Sequence, residues 1–405
     1  MKPTPLPNPL ATLVVPDDFH PSSFVRLERC PVSVLGLLGA DERGLLVPHP
    51  TAFLGLIIHH ARHQLTEGRW GTAQDPQQAA SVILAGAVDE AKTALRSNQA
   101  TEGLVPLRES VGRRAWKTRT REFERWAAGV ADPGTDEPPR RLSFDPWSTS
   151  PASAESDQAT TGAEQVLSNR ALRLRGRPDW TAHVDERLVE VVDFKSGRIM
   201  DAEGRLLDEH VVQVRLYALM LEGAFPDAEV RPYIERVERV EVPWGNLERT
   251  RMMARLEEAS TRLPAGVRLK AKEVAQPGLH CSGCRLRPMC PAYLSAAPSL
   301  WPDERGSPRP LPLDVWGDVT SVEPQGDCVG VRLADAAGRR VRIDGVDRRH
   351  GVAAVKRGER AWFFDLESSE DMSQHGALVQ PRNFHEHPPG PRWRPARRTR
   401  VFGQP

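Results

Sequence analysis

Cysteine is scarce: five occur in 405 residues. That number is odd and too small for a disulfide scaffold, so metal-binding thiols in a reducing, cytoplasmic setting are expected instead. Net charge is almost absent, with 55 Lys and Arg against 54 Asp and Glu, a formal balance of +1. This excludes a histone-like or grossly acidic chain, but charge segregated within the chain can still bind nucleic acid. Long apolar runs are lacking too. Stretches such as Ser81 to Val88 fall far short of the roughly 20 residues of a membrane helix, so no membrane partner is expected. The opening Met1-Lys2-Pro3-Thr4-Pro5 has no uninterrupted apolar region, and no secretory signal is read there. There is no Gly-x-x-x-x-Gly-Lys-Ser/Thr phosphate loop and no internal repeat.

What is present is a chain that can bury a core, 39% hydrophobic and 27% charged, with 36 prolines that call for many loops. Its length predicts two or three domains. Residues 1–21 read as a flexible, Pro-rich start. Helical spacing follows over Ser22–Leu38, broken at Pro31, then over Thr51–Gly68, Gln77–Ser97 and Arg113–Ala128. Residues 131–163 are dense in Pro, Ser, Thr and acids and read as a disordered-like insertion. Leu172–Trp180 and Leu188–Phe194 read as strands, Glu209–Leu221 as a helix, Val230–Val242 as a strand or hairpin and Leu247–Leu263 as a helix. This order predicts a mixed α/β core. Beyond a Cys-rich segment and a linker at 297–310, residues 311–380 read as a small β-barrel. Residues 381–405 read as an Arg-rich tail able to contact phosphates, with Arg382, Arg392, Arg394, Arg397, Arg398 and Arg400.

The central chemistry lies in Gly176-Arg177-Pro178-Asp179 and Val192-Asp193-Phe194-Lys195. If the two strands are neighbours, Asp179 and Asp193 stand side by side. Two such carboxylates repel unless one is protonated or a divalent cation lies between them. Hard oxygen donors, with the Phe194 carbonyl among them, suit Mg²⁺ or Mn²⁺. Lys195, two residues after Asp193, projects to the same strand face. Asp-x-Lys alone is a frequent chance match in solvated strand ends. Gln213 and Tyr217 share a helix face at i and i+4. Cys281-x2-Cys284-x5-Cys290 is a tight thiolate cluster, with Cys30 a distant fourth candidate; tetrathiolate sites take zinc or an iron–sulfur cluster, and spacing alone favours zinc.

In combination, Gly-Arg-Pro-Asp, Val-Asp-Phe-Lys-Ser-Gly and Gln-x-x-x-Tyr resemble the RecB-like branch of the PD-(D/E)XK nuclease superfamily. The resemblance covers roughly Ser22 to Ala296 and implies a restriction-endonuclease-like mixed-sheet core. By that likeness Asp179, Asp193 and Lys195 are the catalytic set. Gln213 and Tyr217 would bind DNA or orient site groups. His59, in Gly55-x-x-x-His59, would be a metal ligand, with Glu164 a further candidate. His60 and His63 read as solvated or locally hydrogen-bonded. One early Cys plus a late Cys-x2-Cys-x5-Cys resembles the iron–sulfur AddB-type and CRISPR-adaptation exonucleases. That likeness implies a 4Fe–4S cluster on Cys30, Cys281, Cys284 and Cys290 that ties the start of the nuclease domain (22–296) to its end. The implied activity is Mg²⁺- or Mn²⁺-dependent hydrolysis of DNA, single-stranded or with free ends, in repair, recombination or phage defence, with a separate helicase or defence subunit as a possible partner. The alternative is a non-catalytic DNA-binding or scaffold subunit. The barrel at 311–380 lies outside the resemblance. It reads as OB-like, with Trp316, Trp362, Phe363 and Phe364 either stacking bases or, for one of the last two, filling the core.

Overall fold

A computed structural model describes residues 4–39, 50–68, 70, 73, 75–96, 106–130, 162–163, 165–297, 313–334, 338, 340–350, 352–368 and 392–404. The expected insertion at 131–163 lies outside them except for its last two residues, and the linker at 297–310 except for Ala297. The chain divides into two compact units. One comprises Thr12–Gly44 and Pro48–Lys270; the other comprises Met1–Ala11, Leu45–Val47 and Ala271–Pro405. No helix among the described residues is long and apolar enough to cross a membrane.

The first unit is mixed α/β. Helix α1 (Phe24–Arg29) ends at Cys30, where Pro31 interrupts the helical run as its ring requires. Helices α2 (Pro50–Thr66), α3 (Pro76–Arg96) and α4 (Arg113–Ala127) follow and pack on one another. Each buries one apolar stripe at helical spacing, such as Phe53, Leu54, Ile57, Ile58 and Ala61 of α2. A five-stranded sheet has the order β1 (Gly162–Ala163), β2 (Trp180–Asp185), β3 (Leu188–Phe194), β4 (Glu229–Glu235), β5 (Arg239–Glu241). Only β3–β4 is parallel, and the crossover between them is α5 (Asp208–Ala224), which packs on both. Helix α6 (Asn246–Arg262) lies against α5. Strand β3 buries Val189, Val191 and Val192 completely, which is why it reads as β-branched and apolar despite Glu190 and Asp193.

The segment Leu172–Trp180, where alternation is expected to break at Gly176, is a strand only over Leu174–Gly176 before the next strand begins at Trp180. Arg170–Leu172 is a single 3-10 turn, Arg173 adopts φ 53° and Leu174–Gly176 is a short strand paired with Leu167–Asn169. Arg177–Asp179 then connects to β2, so Asp179 opens a strand rather than ending one.

The second unit contains the Cys-rich segment and a barrel. A six-stranded sheet comprises Thr4–Pro5, at the start expected to be flexible, and β6 (Leu313–Gln325), β7 (Cys328–Ala334), β8 (Arg340–Asp347), β9 (Arg360–Ser368) and β10 (Arg392–Gly403). The last five run in the order β10-β8-β7-β6-β9, Thr4–Pro5 pairs with Phe402 and Gly403 of β10, and β9 also pairs with β10, closing the sheet. All pairings are antiparallel except β8–β10 and that of Thr4–Pro5 with β10. Strand β10 corrects the reading of 381–405 as a tail. Its arginine content hides a strand whose two edges are both paired. Arg400 is buried and bonded to Asp365 Oδ2 at 3.1 Å, so it is not a solvent-facing phosphate contact. Phe363 and Phe364 are both buried, although strict alternation would bury one. The register shifts between Phe364 and Leu366, and Asp365 takes φ 63°. Phe363 joins the barrel interior with Val315, Val331 and Ile343. Phe364 packs instead with Trp316 and Phe402. These three rings are buried and offer no open face for base stacking; Trp362 is half-buried.

The Cys-rich segment lies in the same compact unit as the barrel. The cause is Arg287, 2% exposed, which donates to Asp314 Oδ2 at 2.7 Å and Asp365 Oδ1 at 2.5 Å. Tyr293 adds a hydroxyl bond to Asp314 Oδ2 at 2.6 Å. Although burial opposes it, the two carboxylates raise the Arg287 pKa further, so the ions are all paired inside the unit.

Candidate active site

The antiparallel register pairs Trp180 with Val192, which brings Asp179 alongside Asp193. The Phe194 N–H donates to Asp179 Oδ2 at 2.5 Å, locking that carboxylate against the end of β3. Gly176 makes the approach to Asp179 feasible. A Cβ there would lie 2.8 Å from both Tyr217 Cε1 and Pro21 Cδ, closer than real contacts allow.

His59 reaches the same carboxylate from α2, with Nε2 2.6 Å from Asp179 Oδ1. Gly55 lies one turn earlier. A Cβ on it would sit 3.2 Å from Ser196 Oγ, so the small residue lets α2 come close to the segment after Lys195. His63 Nε2 lies 3.6 Å from Glu67 Oε1, four residues further on.

Lys195 Nζ lies 2.6 Å from Asp193 Oδ2 and donates to Gln213 Oε1 at 2.9 Å, while Gln213 Nε2 donates to Asp193 Oδ1 at 2.8 Å. The three side chains close a ring across β3 and α5. Gln213 is buried within that ring. Tyr217, expected to bind DNA or orient site groups, is buried too, and its hydroxyl donates to the Arg177 carbonyl at 3.0 Å. It holds the connection that leads to Asp179.

The two carboxylates are driven apart electrostatically. Burial pushes Asp193 up to about 6; Lys195 opposes this and the charge of Asp179 adds to it. Burial also acts against ionisation of Asp179, but His59, Lys195 and the Phe194 N–H together bring it below the usual carboxylate range. Burial likewise disfavours the Lys195 ammonium, yet Asp193 and Asp179 outweigh that and raise its pKa. At neutral pH this lysine is a cation.

In donor type, His59, Asp179 and Asp193 fit a hard divalent cation. In arrangement they are engaged with other partners: His59 with Asp179, and Asp193 with Lys195. Among the described residues no three His, Cys, Asp or Glu side chains converge as a ligand group. Glu164 lies outside the described residues. Phe194, expected to offer its carbonyl, is buried and engages Asp179 through its N–H.

A supporting layer was not foreseen from the sequence. Arg62, three residues after His59 on α2, places its guanidinium 4.5 Å from the Trp126 ring centre and 5.2 Å from that of Phe194. It also donates to the Arg236 carbonyl. Burial lowers its pKa to about 10, against Glu235, Asp179 and Glu122. Trp126 Nε1 donates to Glu235 Oε1 at 2.6 Å, and the Glu235 carbonyl accepts the Lys195 N–H at 2.8 Å. The only available signal was an arginine on the apolar face of α2.

The cysteines divide between the units. Cys30 follows α1 in the first; Cys281, Cys284 and Cys290 lie in the second, where Arg287 Nη1 donates to the Cys281 and Cys284 carbonyls at 2.9 and 2.8 Å. Among the described residues none of the cysteines is in a disulfide. Cys328, expected as a core residue, is half-buried at the start of β7.

The mixed sheet thus carries an acid and an Asp-x-Lys at adjacent strand ends, with a glutamine on the crossover helix. The sequence profile of the PD-(D/E)XK nuclease superfamily matches residues 20–291. The chain belongs to that superfamily. The match takes in His59, Asp179, Asp193, Lys195 and Gln213 and ends before the barrel. No curated protein matches the chain.

Proposed function

We propose that the chain is a Mg²⁺- or Mn²⁺-dependent DNA nuclease acting on single strands or duplex ends. The observation that carries this reading is the juxtaposition of Asp179, Asp193 and Lys195 at the ends of paired strands β2 and β3. Asp179 and Asp193 would hold the cation with His59, the Phe194 carbonyl and Glu164. A bound divalent cation supplies charge neutralisation at the scissile phosphate and a more acidic water. Lys195, kept protonated by its two acidic neighbours and tethered by Gln213, holds the attacking water or meets charge building on phosphate oxygen. His59 and the Phe194 N–H keep Asp179 ionised and fixed.

The barrel is read as OB-like. In support, its strands follow the order β6-β7-β8-β10-β9 with closure onto β6 and a parallel β8–β10 pair. It would guide strands toward the site. Repair, recombination and phage defence are the settings in which such an activity is useful, with a helicase or defence subunit as partner. Cys281, Cys284 and Cys290 are read as ligands of a 4Fe–4S cluster, supported by their spacing; Cys30, in the other unit, is the expected fourth thiolate. Iron and acid-labile sulfide in anaerobically purified protein, lowered in Cys284→Ala and Cys30→Ala, test this, and stoichiometric zinc instead would overturn it.

The second reading, a non-catalytic DNA-binding subunit, is favoured by one observation, the lack of a converged three-ligand group among the described residues. Cleavage of end-labelled single-stranded DNA with Mg²⁺ or Mn²⁺, comparing wild type with Lys195→Ala, decides. Cutting by wild type alone supports the nuclease. DNA binding without cutting by either supports the scaffold.

A further inference from the structure

Helix α4 carries its charge asymmetrically. Its inward face holds Phe123 and Ala127 in the core. Its outward face exposes Arg113, Arg114, Lys117, Arg121 and Arg125, against a single exposed acid, Glu124. Arg113, Lys117, Arg121 and Arg125 follow one another at i, i+4, i+8 and i+12, so they form a row about 6 Å apart along a helix about 22 Å long. Like charges at that spacing repel. A solvated helix face usually mixes signs, and here none of the four has an ion pair among the described residues. The other acid of α4, Glu122, is taken by Arg236 at 2.7 Å. In a chain whose formal charge is only +1, this is a local concentration of positive potential.

The same helix is fastened to the site. Arg119 Nη1 donates to the Thr51 carbonyl of α2 at 2.9 Å, and its Nη2 lies 3.7 Å from where a Cβ on Gly197 would sit, two residues after Lys195. Trp126, at the other end, bonds Glu235, whose carbonyl holds the Lys195 backbone. The cationic row is therefore carried by an element fastened to the Asp193–Lys195 strand end, on the side of the helix away from the anchoring Arg119 and Trp126.

We propose that the outward face of α4 is the track along which the phosphate backbone of a single nucleic-acid strand enters the Asp193–Lys195 site. The proposal rests on the nuclease reading of that site and names the surface that feeds it. Contacts of this kind neutralise phosphates without reading bases, so affinity should be sequence-independent and strongly dependent on salt.

The test uses the full chain with Arg113, Lys117, Arg121 and Arg125 all changed to Gln, a substitution that keeps helix propensity. Binding of a labelled single-stranded oligonucleotide of about 20 nucleotides is titrated against salt in EDTA, where no cutting occurs. The expected result is a tenfold or greater loss of affinity near 0.1 M salt, with the log–log salt slope shallower by about 3, roughly 0.7 per contact. Arg121→Gln alone should remove about 0.7 of slope, which keeps the proposal testable if the quadruple variant loses helical circular dichroism. Cleavage of a four-nucleotide substrate, too short to follow the helix, should be unchanged. Unaltered affinity and slope would overturn the track while leaving the nuclease reading intact. Wild type that binds through this face but never cuts would remove the nuclease reading instead. Loss of binding to anionic vesicles with oligonucleotide binding preserved would reassign the face to a membrane and overturn the proposal.

Discussion

Gln213 donates to Asp193 Oδ1 at 2.8 Å and, through its other terminus, accepts from the lysine that neutralises that same carboxylate. One amide thus fixes both partners of the Asp193–Lys195 pair from a different element, the crossover helix α5. This gives Gln213 a role in geometry that its buried position supports better than contact with DNA. Gln213→Leu takes one hydrogen-bond partner from each of the buried Asp193 and Lys195, which among the described residues keep only each other, a cost of about 1–3 kcal/mol. Thermal denaturation should show that loss, and cleavage should fall at least tenfold in turnover with little change in DNA affinity. A variant that binds DNA much more weakly but turns over normally would return Gln213 to the substrate.

The raised pKa of Asp193, about 6 against an ordinary 3.8, links the site to stability. In metal-free protein the unfolded chain ionises Asp193 before the folded chain does. The stability this group contributes is full below about pH 4 and is lost as pH rises through about 6. Asp193→Asn does not titrate, so the melting temperature of wild type minus that of the variant should fall between pH 4 and 7 in EDTA. The free-energy change is at most about 3 kcal/mol. Asp179 shifts in the other direction, so its effect is confined to lower pH. A difference that rises over this interval would mean that Lys195 outweighs burial.

Gly176 sits where the chain turns from a short strand toward Asp179, and a methyl group there meets Tyr217 Cε1 and Pro21 Cδ at 2.8 Å. Neither neighbour is a flexible chain end: one is a ring edge, the other a ring fixed to the backbone. Gly176→Ala is therefore expected to destabilise by about 1–3 kcal/mol through overpacking. It should also reduce cleavage by displacing Asp179. Unchanged denaturation midpoint and activity would show that the segment shifts without consequence.

Much of this was legible because local rules and global packing agree. The stripe Phe53, Ile57, Ala61 announces α2, and the apolar run of β3 announces a buried strand. The site was legible through residue types at fixed spacing: Asp193 and Lys195 share a face because strands alternate. Other features arise only from convergence in space. Arg62, Trp126 and Glu235 come from α2, α4 and β4, and no spacing links them. Phe363 and Phe364 are both buried because Asp365 bulges, which alternation cannot foresee. The Cys-rich segment joins the barrel because Arg287 finds Asp314 and Asp365 at distances of 27 and 78 residues along the chain.

The Arg-rich end was the largest misreading, and it yields a sharp experiment. Strand β10 pairs with β8 on one edge and β9 on the other, and Arg400 bonds Asp365 inside the unit. Deleting residues 392–405 would open the barrel and leave two strand edges bare, which invites association with other chains. It would also strip Asp365 of one of its two buried cations, Arg287 and Arg400. A solvated tail predicts the opposite, an intact fold with weaker DNA binding at low salt. The expected outcome of the deletion is loss of the barrel's β signal in circular dichroism and aggregation on size-exclusion chromatography. A monomeric, fully folded product would show that β10 contributes nothing to closure.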